Sequence, residues 1–208
     1  MKCIEELLLD KSLVSTYHHK LSEKNLIFYD TETTGILKDF SQILQCGSVL
    51  TDEGLNTLGE QNIGCAPLPW VIPQPMAMIT NKKIDLFKSN ISHYQMMKDL
   101  QVQWKQWSAE NPAIFITYNG HAFDEELVRR QFFWNLLEPY TTNTNGNGRL
   151  DLMLMIHNIA AFFSDEISMP LFEGGPGISY KLEHLAIEHD IDAGDAHDAI
   201  ADCNLMIE

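Results

Sequence analysis

A short apolar run that ends in acids, Asn25-Leu-Ile-Phe-Tyr-Asp30 followed by Thr31-Glu32-Thr33-Thr34-Gly35, limits this chain more than anything else in it. A run of this length bounded by polar residues reads as a buried strand. Side chains alternate along a strand, so Asp30 and Glu32 face the same way at its C-terminal end. Two carboxylates directed at one point either hold a divalent cation or raise each other's pKa and destabilise the fold. Taken alone, the hexapeptide also reads as a solvated strand end with an ordinary Asp and Glu. Gly35, beside Thr33 and Thr34, adds backbone that a ligand can approach closely.

The rest of the chain supplies a sheet around that strand. Residues 43–50 and 55–65 read as two further strands with Asp52-Glu53-Gly54 as the turn, an antiparallel start. Pro67, Pro69, Pro73 and Pro75 are expected to break any regular element. Helical spacing returns over residues 92–110, where Tyr94, Met97, Leu100, Trp104 and Trp107 read as core positions. Residues 113–117 form a fourth strand, and Tyr118-Asn119-Gly120 turns it into a helix over 121–137. Composition makes 141–148 a loop. Helices are expected over 151–163, 180–188 and 196–207, with a further one at 4–20. This β-β-β-α-β-α order predicts an α/β fold whose mixed central sheet has three antiparallel strands followed by parallel ones, with helices on both faces.

With 208 residues, one core is expected, and no apolar run approaches the ~18 residues of a membrane span. The N-terminal Met-Lys-Cys-Ile-Glu-Glu places two acids where a signal peptide would be basic, so a cytoplasmic protein with no membrane partner is expected. Cys3, Cys46, Cys65 and Cys203 are too scattered for a paired ligand motif and read as reduced thiols. The last helix reaches the C-terminus without a stop signal, which we read as a chain cut from a longer protein. Against 14 Lys+Arg stand 29 Asp+Glu, a net charge of −15. That balance argues against nonspecific coating of DNA or RNA, yet it leaves room for a site where bound cations invert the local field.

Two more acidic segments complete an ordered set. Asn119-Gly120-His121-Ala122-Phe123-Asp124 places an acid at the start of a helix after a buried strand, a position the helix dipole favours on its own. His197-Asp198-Ala199-Ile200-Ala201-Asp202 places a His at the start of the last helix and an Asp just over a turn later, with small residues between them. Paired acids, a mid-chain acid and a terminal His-x4-Asp form the inventory that two-metal phosphodiester hydrolysis requires. Carboxylates hold two cations ~3.5–4 Å apart, and a nearby His takes a proton from water.

In their order and spacing, these segments resemble the His-containing branch of the DEDD exonuclease superfamily, whose fold is ribonuclease H-like. Asp124-Glu125-Glu126, Glu138-Pro139-Tyr140, Arg149-Leu150-Asp151-Leu152, Tyr180-Lys181-Leu182-Glu183-His184-Leu185 and Ala196-His197-Asp198-Ala199 extend the resemblance to the catalytic domain of the bacterial exonuclease I family. It covers roughly residues 25–208 as an exonuclease domain, leaving 1–24 as an N-terminal helical extension. The resemblance implies 3′→5′ hydrolysis of single-stranded DNA to 5′-mononucleotides and a role in DNA repair. It makes Asp30, Glu32, Asp124 and Asp202 the metal-binding carboxylates and His197 the general base. Two Mg²⁺ per site are implied, with Mn²⁺ as a substitute. Substrate contacts are implied at Glu32, Thr33, Thr34, Asn119, Phe123, Arg129, Tyr140, His157, Tyr180 and Lys181. The basic ones offset phosphate charge, and the tyrosines stack on bases without reading sequence.

The chain departs from the pattern at Thr144 and His157, where the family has larger or more basic side chains, and the family's C-terminal modules are not supplied by these residues. Other members of the superfamily act on RNA or short oligonucleotides, and a catalytically silent fold that binds nucleic acid or protein is a further alternative.

Overall fold

The acid-bearing run is the central strand of the fold, β1 (Asn25–Thr33), in a five-stranded sheet. The computed structural model describes residues 24–172, 175–192 and 198–208; the helix expected at 4–20 lies outside them. The other strands are β2 (Ile43–Thr51), β3 (Thr57–Gly64), β4 (Ala113–Thr117) and β5 (Gly148–Asp151), and their spatial order is β3-β2-β1-β4-β5. β1 to β3 pair antiparallel, whereas β4 and β5 run parallel to β1. The mixed sheet expected from the sequence is therefore what forms.

Six helices accompany it among the described residues: α1 (Pro75–Asn81), α2 (His93–Trp107), α3 (Asp124–Trp134), α4 (Leu152–Phe162), α5 (Leu182–Glu188) and α6 (Ala199–Ile207). None is long and apolar enough to cross a membrane.

Strand alternation divides the core between the two faces. Ile27 and Tyr29 point to one face, where Met96, Met97, Leu100 and Trp104 of α2 meet Leu127, Val128 and Phe132 of α3. Trp104 is fully enclosed, with ring centroids 4.9 Å from Tyr29 and 5.1 Å from Phe115, and its Nε1 donates to Ser48 Oγ at 3.0 Å. That bond satisfies the one polar atom of a large apolar ring. Phe28 points to the opposite face, against Val49, Ile116, and Cys203 and Met206 of α6. Asp30 and Glu32 continue the Phe28 series, so the α6 face carries the carboxylates. α4 on this side is apolar around most of its circumference, yet none of its residues is fully buried.

Two expectations are corrected. The proline-rich stretch does not exclude a helix, because α1 starts on Pro75. Proline's fixed φ suits the first helical turn, and its missing N–H would have no partner there. Residues 141–148 are not all loop: Thr141–Asn143 forms a 3₁₀ turn, and Gly148 opens β5. Four residues offer too little alternation to be read from sequence, and pairing Ile114↔Gly148 through Thr117↔Asp151 is what makes them a strand.

Candidate functional site

The C-terminal end of β1 and the first turns of α6 bring Asp30, Glu32 and Asp202 together. One carboxylate oxygen from each lies within 4.8 Å of the others. What permits this is Gly47, which pairs with Asp30 across β1 and β2. A Cβ at Gly47 would stand 2.5 Å from the Ala199 carbonyl group, so only glycine lets the helix backbone rest on the strand. Cys203 Sγ also donates to the Gly47 carbonyl at 3.4 Å.

Asp124 is not one of the three within 4.8 Å, but it stands near enough, after the next strand over, for its charge to act on Asp30 and Glu32. β4 ends at Thr117, Asn119 adopts a left-handed φ of 57°, and α3 begins at Asp124 itself. A Cβ on Gly120 would stand 2.6 Å from Thr117 Oγ1, so the tight turn requires glycine. Asp151 fastens this turn by accepting from Asn119 N at 2.9 Å and His121 N at 3.1 Å while it caps α4 through Met153 N. Thr31 Oγ1 donates to Asp124 Oδ1. Asp124 is thus both the helix-start acid of the local reading and a neighbour of the carboxylate cluster.

Electrostatically the cluster is strained. Burial, then the charges of Asp124, Asp202 and Glu32, hold the Asp30 carboxyl well above its ordinary range. Burial and the Asp202 charge push Glu32 up to about 8, with Lys83 opposing. Burial raises Asp124 to about 6, against the hydrogen bond from Thr31. Oxygen-only donors that resist carrying their own negative charge suit a hard divalent cation, which would remove the repulsion.

Asp30 and Asp202 line a cleft of about 710 Å³ together with Asn119, Tyr180 and Lys181. Tyr180 is fixed there: its carbonyl accepts from Tyr118 OH at 2.6 Å, and its ring meets His157 edge-on with centroids 3.9 Å apart. Arg129 and Tyr140 lie elsewhere, in a separate pocket of about 320 Å³ with His121 and Arg149, where the Arg129 guanidinium sits 5.9 Å over the Tyr140 ring. Thr33 and Thr34 are buried and occupied locally: Thr33 Oγ1 donates to the Gly35 carbonyl, and Thr34 Oγ1 accepts from Gln42 N. Phe123 packs against the α2–α3 core. His197 lies outside the described residues.

Sequence reasoning passed over Asp198, Lys83, Gln45 and Gly47. Asp198 caps α6 through Ile200 N at 3.2 Å, and its other oxygen takes Lys83 Nζ at 2.6 Å and Gln45 Nε2 at 3.3 Å. Burial acts to raise its pKa, but those two side chains outweigh burial and hold the carboxyl below its ordinary value. A lone glycine inside a strand pattern was the available signal for Gly47. Lys83 carries no such signal.

No family model matches the chain. Curated relatives named exodeoxyribonuclease I do. That of Buchnera aphidicola from Schizaphis graminum is 29% identical over 91% of this chain and 39% of its own length. The Escherichia coli K12 protein is 27% identical over 86% of this chain and 38% of its own. Among solved structures, E. coli exonuclease I in complex with a dT13 oligonucleotide superposes with a TM-score of 0.81 at 25% identity, covering 88% of this chain and 39% of that one. The chain therefore spans about two fifths of these relatives' length. The resemblance to exonuclease I holds in sequence and in fold.

Proposed function

We propose that this chain, similar to exonuclease I in fold, sequence and motif order, is a metal-dependent 3′→5′ exonuclease domain that shortens single-stranded DNA to 5′-mononucleotides. The observation that carries this reading is the convergence of Asp30, Glu32 and Asp202 from opposite ends of the described chain, with Asp124 alongside. Folding pressure alone would disperse like charges that raise one another's pKa, so their convergence beside a cleft that Asp30 and Asp202 line points to function.

These four carboxylates would hold two Mg²⁺, and Mn²⁺ suits the same oxygen donors. Bound there, such cations would supply an activated water and charge neutralisation at the scissile phosphate. His197 immediately precedes the cap of α6 in sequence and takes the water's proton on an imidazole nitrogen. Lys181 offsets phosphate charge in the cleft, and the Tyr180 ring, braced by His157, offers a face to a base. Arg129 and Tyr140 receive the strand further along, since both pockets border the Asn119–His121 turn.

The exonuclease domain is residues 25–208, with 1–24 as an extension. The buried free thiols of Cys46, Cys65 and Cys203 support a reducing, cytoplasmic setting.

The test is a 5′-labelled single-stranded DNA oligomer, its duplex and a matching RNA, each with Mg²⁺ and with EDTA. A metal-dependent ladder shortening from the 3′ end of single-stranded DNA is expected. Degradation of RNA alone would transfer the reading to an oligoribonuclease. No cleavage of any of the three by protein that binds Mg²⁺ would leave a binding module.

A further inference from the structure

Lys83 occupies an unusual place in a chain of net charge −15. Its side chain is only 16% exposed, and lysine is rarely so enclosed without a partner. The partner is Asp198, whose Oδ2 lies 2.6 Å from Nζ. Among the five described ion pairs, this one alone reaches α6.

The backbone is shaped to deliver that contact. Lys82 takes a left-handed φ of 55° and ends α1, so the chain turns at once into the 3₁₀ segment Lys83–Lys88. Asn81, buried beside it, accepts from Lys83 N at 3.1 Å and donates through Nδ2 to the Thr33 carbonyl at 2.9 Å. A continuous set of contacts thus runs from the end of β1 through Asn81 and Lys83 to Asp198, and on to Ile200 N in α6. Each end of this strap adjoins a member of the carboxylate cluster. Glu32 precedes Thr33, and Asp202 follows Asp198 by one turn, its N–H donating to the Asp198 carbonyl at 2.9 Å.

We propose that Lys83 is a positioning residue, clamping the α6 cap Asp198 to the end of β1 and so setting the spacing at which Asp202 meets Asp30 and Glu32 around a divalent cation. This rests on the cation centre of the proposed function. A competing effect has the opposite sign: a lysine charge beside Glu32 repels an incoming cation, so its removal would tighten binding if electrostatics dominated. The clamp requires that removal weaken it.

The full chain is compared as wild type, Lys83→Met, Lys83→Arg, Asp198→Asn and the double variant Lys83→Met/Asp198→Asn. The readouts are Mg²⁺ affinity by calorimetry and the Mg²⁺-induced rise in melting temperature, neither of which depends on hydrolysis. Lys83→Met is expected to weaken Mg²⁺ binding about 10-fold or more, the range seen when groups that orient metal ligands are removed. Lys83→Arg restores most of the affinity, and the double variant binds no more weakly than the poorer single one.

Unchanged or tighter binding in Lys83→Met, an arginine variant as weak as methionine, or additive losses would each overturn the clamp. If Lys83→Met fails to fold, Lys83→Gln, which keeps a donor without the charge, is judged by the same criteria. Wild type that binds no Mg²⁺ overturns both the centre and the clamp. Oligomer degradation is scored separately: its failure in a Mg²⁺-binding wild type overturns the proposed reaction, while the variant series still decides the clamp.

Discussion

Asp30 carries opposite consequences with and without a cation. Its carboxyl is held well above the ordinary range by burial and by three acidic neighbours, so an uncharged isostere relieves the metal-free protein. Asp30→Asn is therefore expected to raise the melting temperature in EDTA, by ~2–4 °C for each kcal/mol relieved. The same change should abolish the Mg²⁺-induced rise and reduce hydrolysis by well over ~100-fold, beyond what loss of a merely supporting residue gives. Paired melting curves check both halves, and a variant that still gains stability from Mg²⁺ would sink the assignment. Glu32 sets a pH dependence. With a folded pKa of about 8 against an ordinary 4.5, the folded protein binds the proton more tightly than the unfolded chain. Its contribution is complete below pH ~4.5 and is lost as pH rises through about 8, so this group destabilises the metal-free protein progressively across that window. Mg²⁺ must displace the proton, and its affinity should climb from pH 6 to 8. Calorimetry in buffers of different ionisation enthalpy would show proton release; heats that are the same in all buffers would contradict the coupling.

At the scale of elements, the close seat of α6 on β2 is the feature most open to attack. Gly47→Ala places a methyl group 2.5 Å from backbone atoms that cannot rotate away. A loss of roughly 1–3 kcal/mol is expected, as for other overpacked positions, together with weaker Mg²⁺ binding because Asp202 rides on the displaced helix. Gly59→Ala is the control. Its Cβ would meet the Trp107 ring at 3.4 Å, an ordinary contact, and urea titration should find the two variants clearly separated. What the sequence disclosed about elements follows from how many residues stated each one. β1, β2 and β4 announce themselves by apolar runs, and α2 by Met97, Leu100 and Trp104 at helical spacing. β5 is fixed by its pairing with β4, and α1 is hidden by a proline that the first turn of a helix accepts. In the site, the cluster members Asp30, Glu32 and Asp202 were legible because their order along the chain is informative. The contact of Lys83 with Asp198 was not, because it joins residues far apart in sequence and leaves no local pattern.

Over the whole molecule, the charge balance bears on the proposed binding of nucleic acid. With a net charge of −15 and few basic side chains near the two pockets, among them Arg129, Arg149 and Lys181, the protein is expected to neutralise few phosphates of a bound strand. Each neutralised phosphate of a single strand contributes about −0.7 to the slope of log affinity against log salt. A slope no steeper than about −2 is expected in fluorescence anisotropy with Ca²⁺ in place of Mg²⁺. A slope of about −4 or steeper would reveal a basic surface that this reading lacks. The distribution of the carboxylates along the chain has a consequence for synthesis as well. A ribosome makes β1 early and α6 only after every other described element, so a nascent chain carries Asp30 and Glu32 without the third carboxylate of the cluster until Asp202 emerges. On the proposed reading, a product terminated before α6 lacks Asp202 and with it a complete cation centre, so cutting would require translation to have passed through α6.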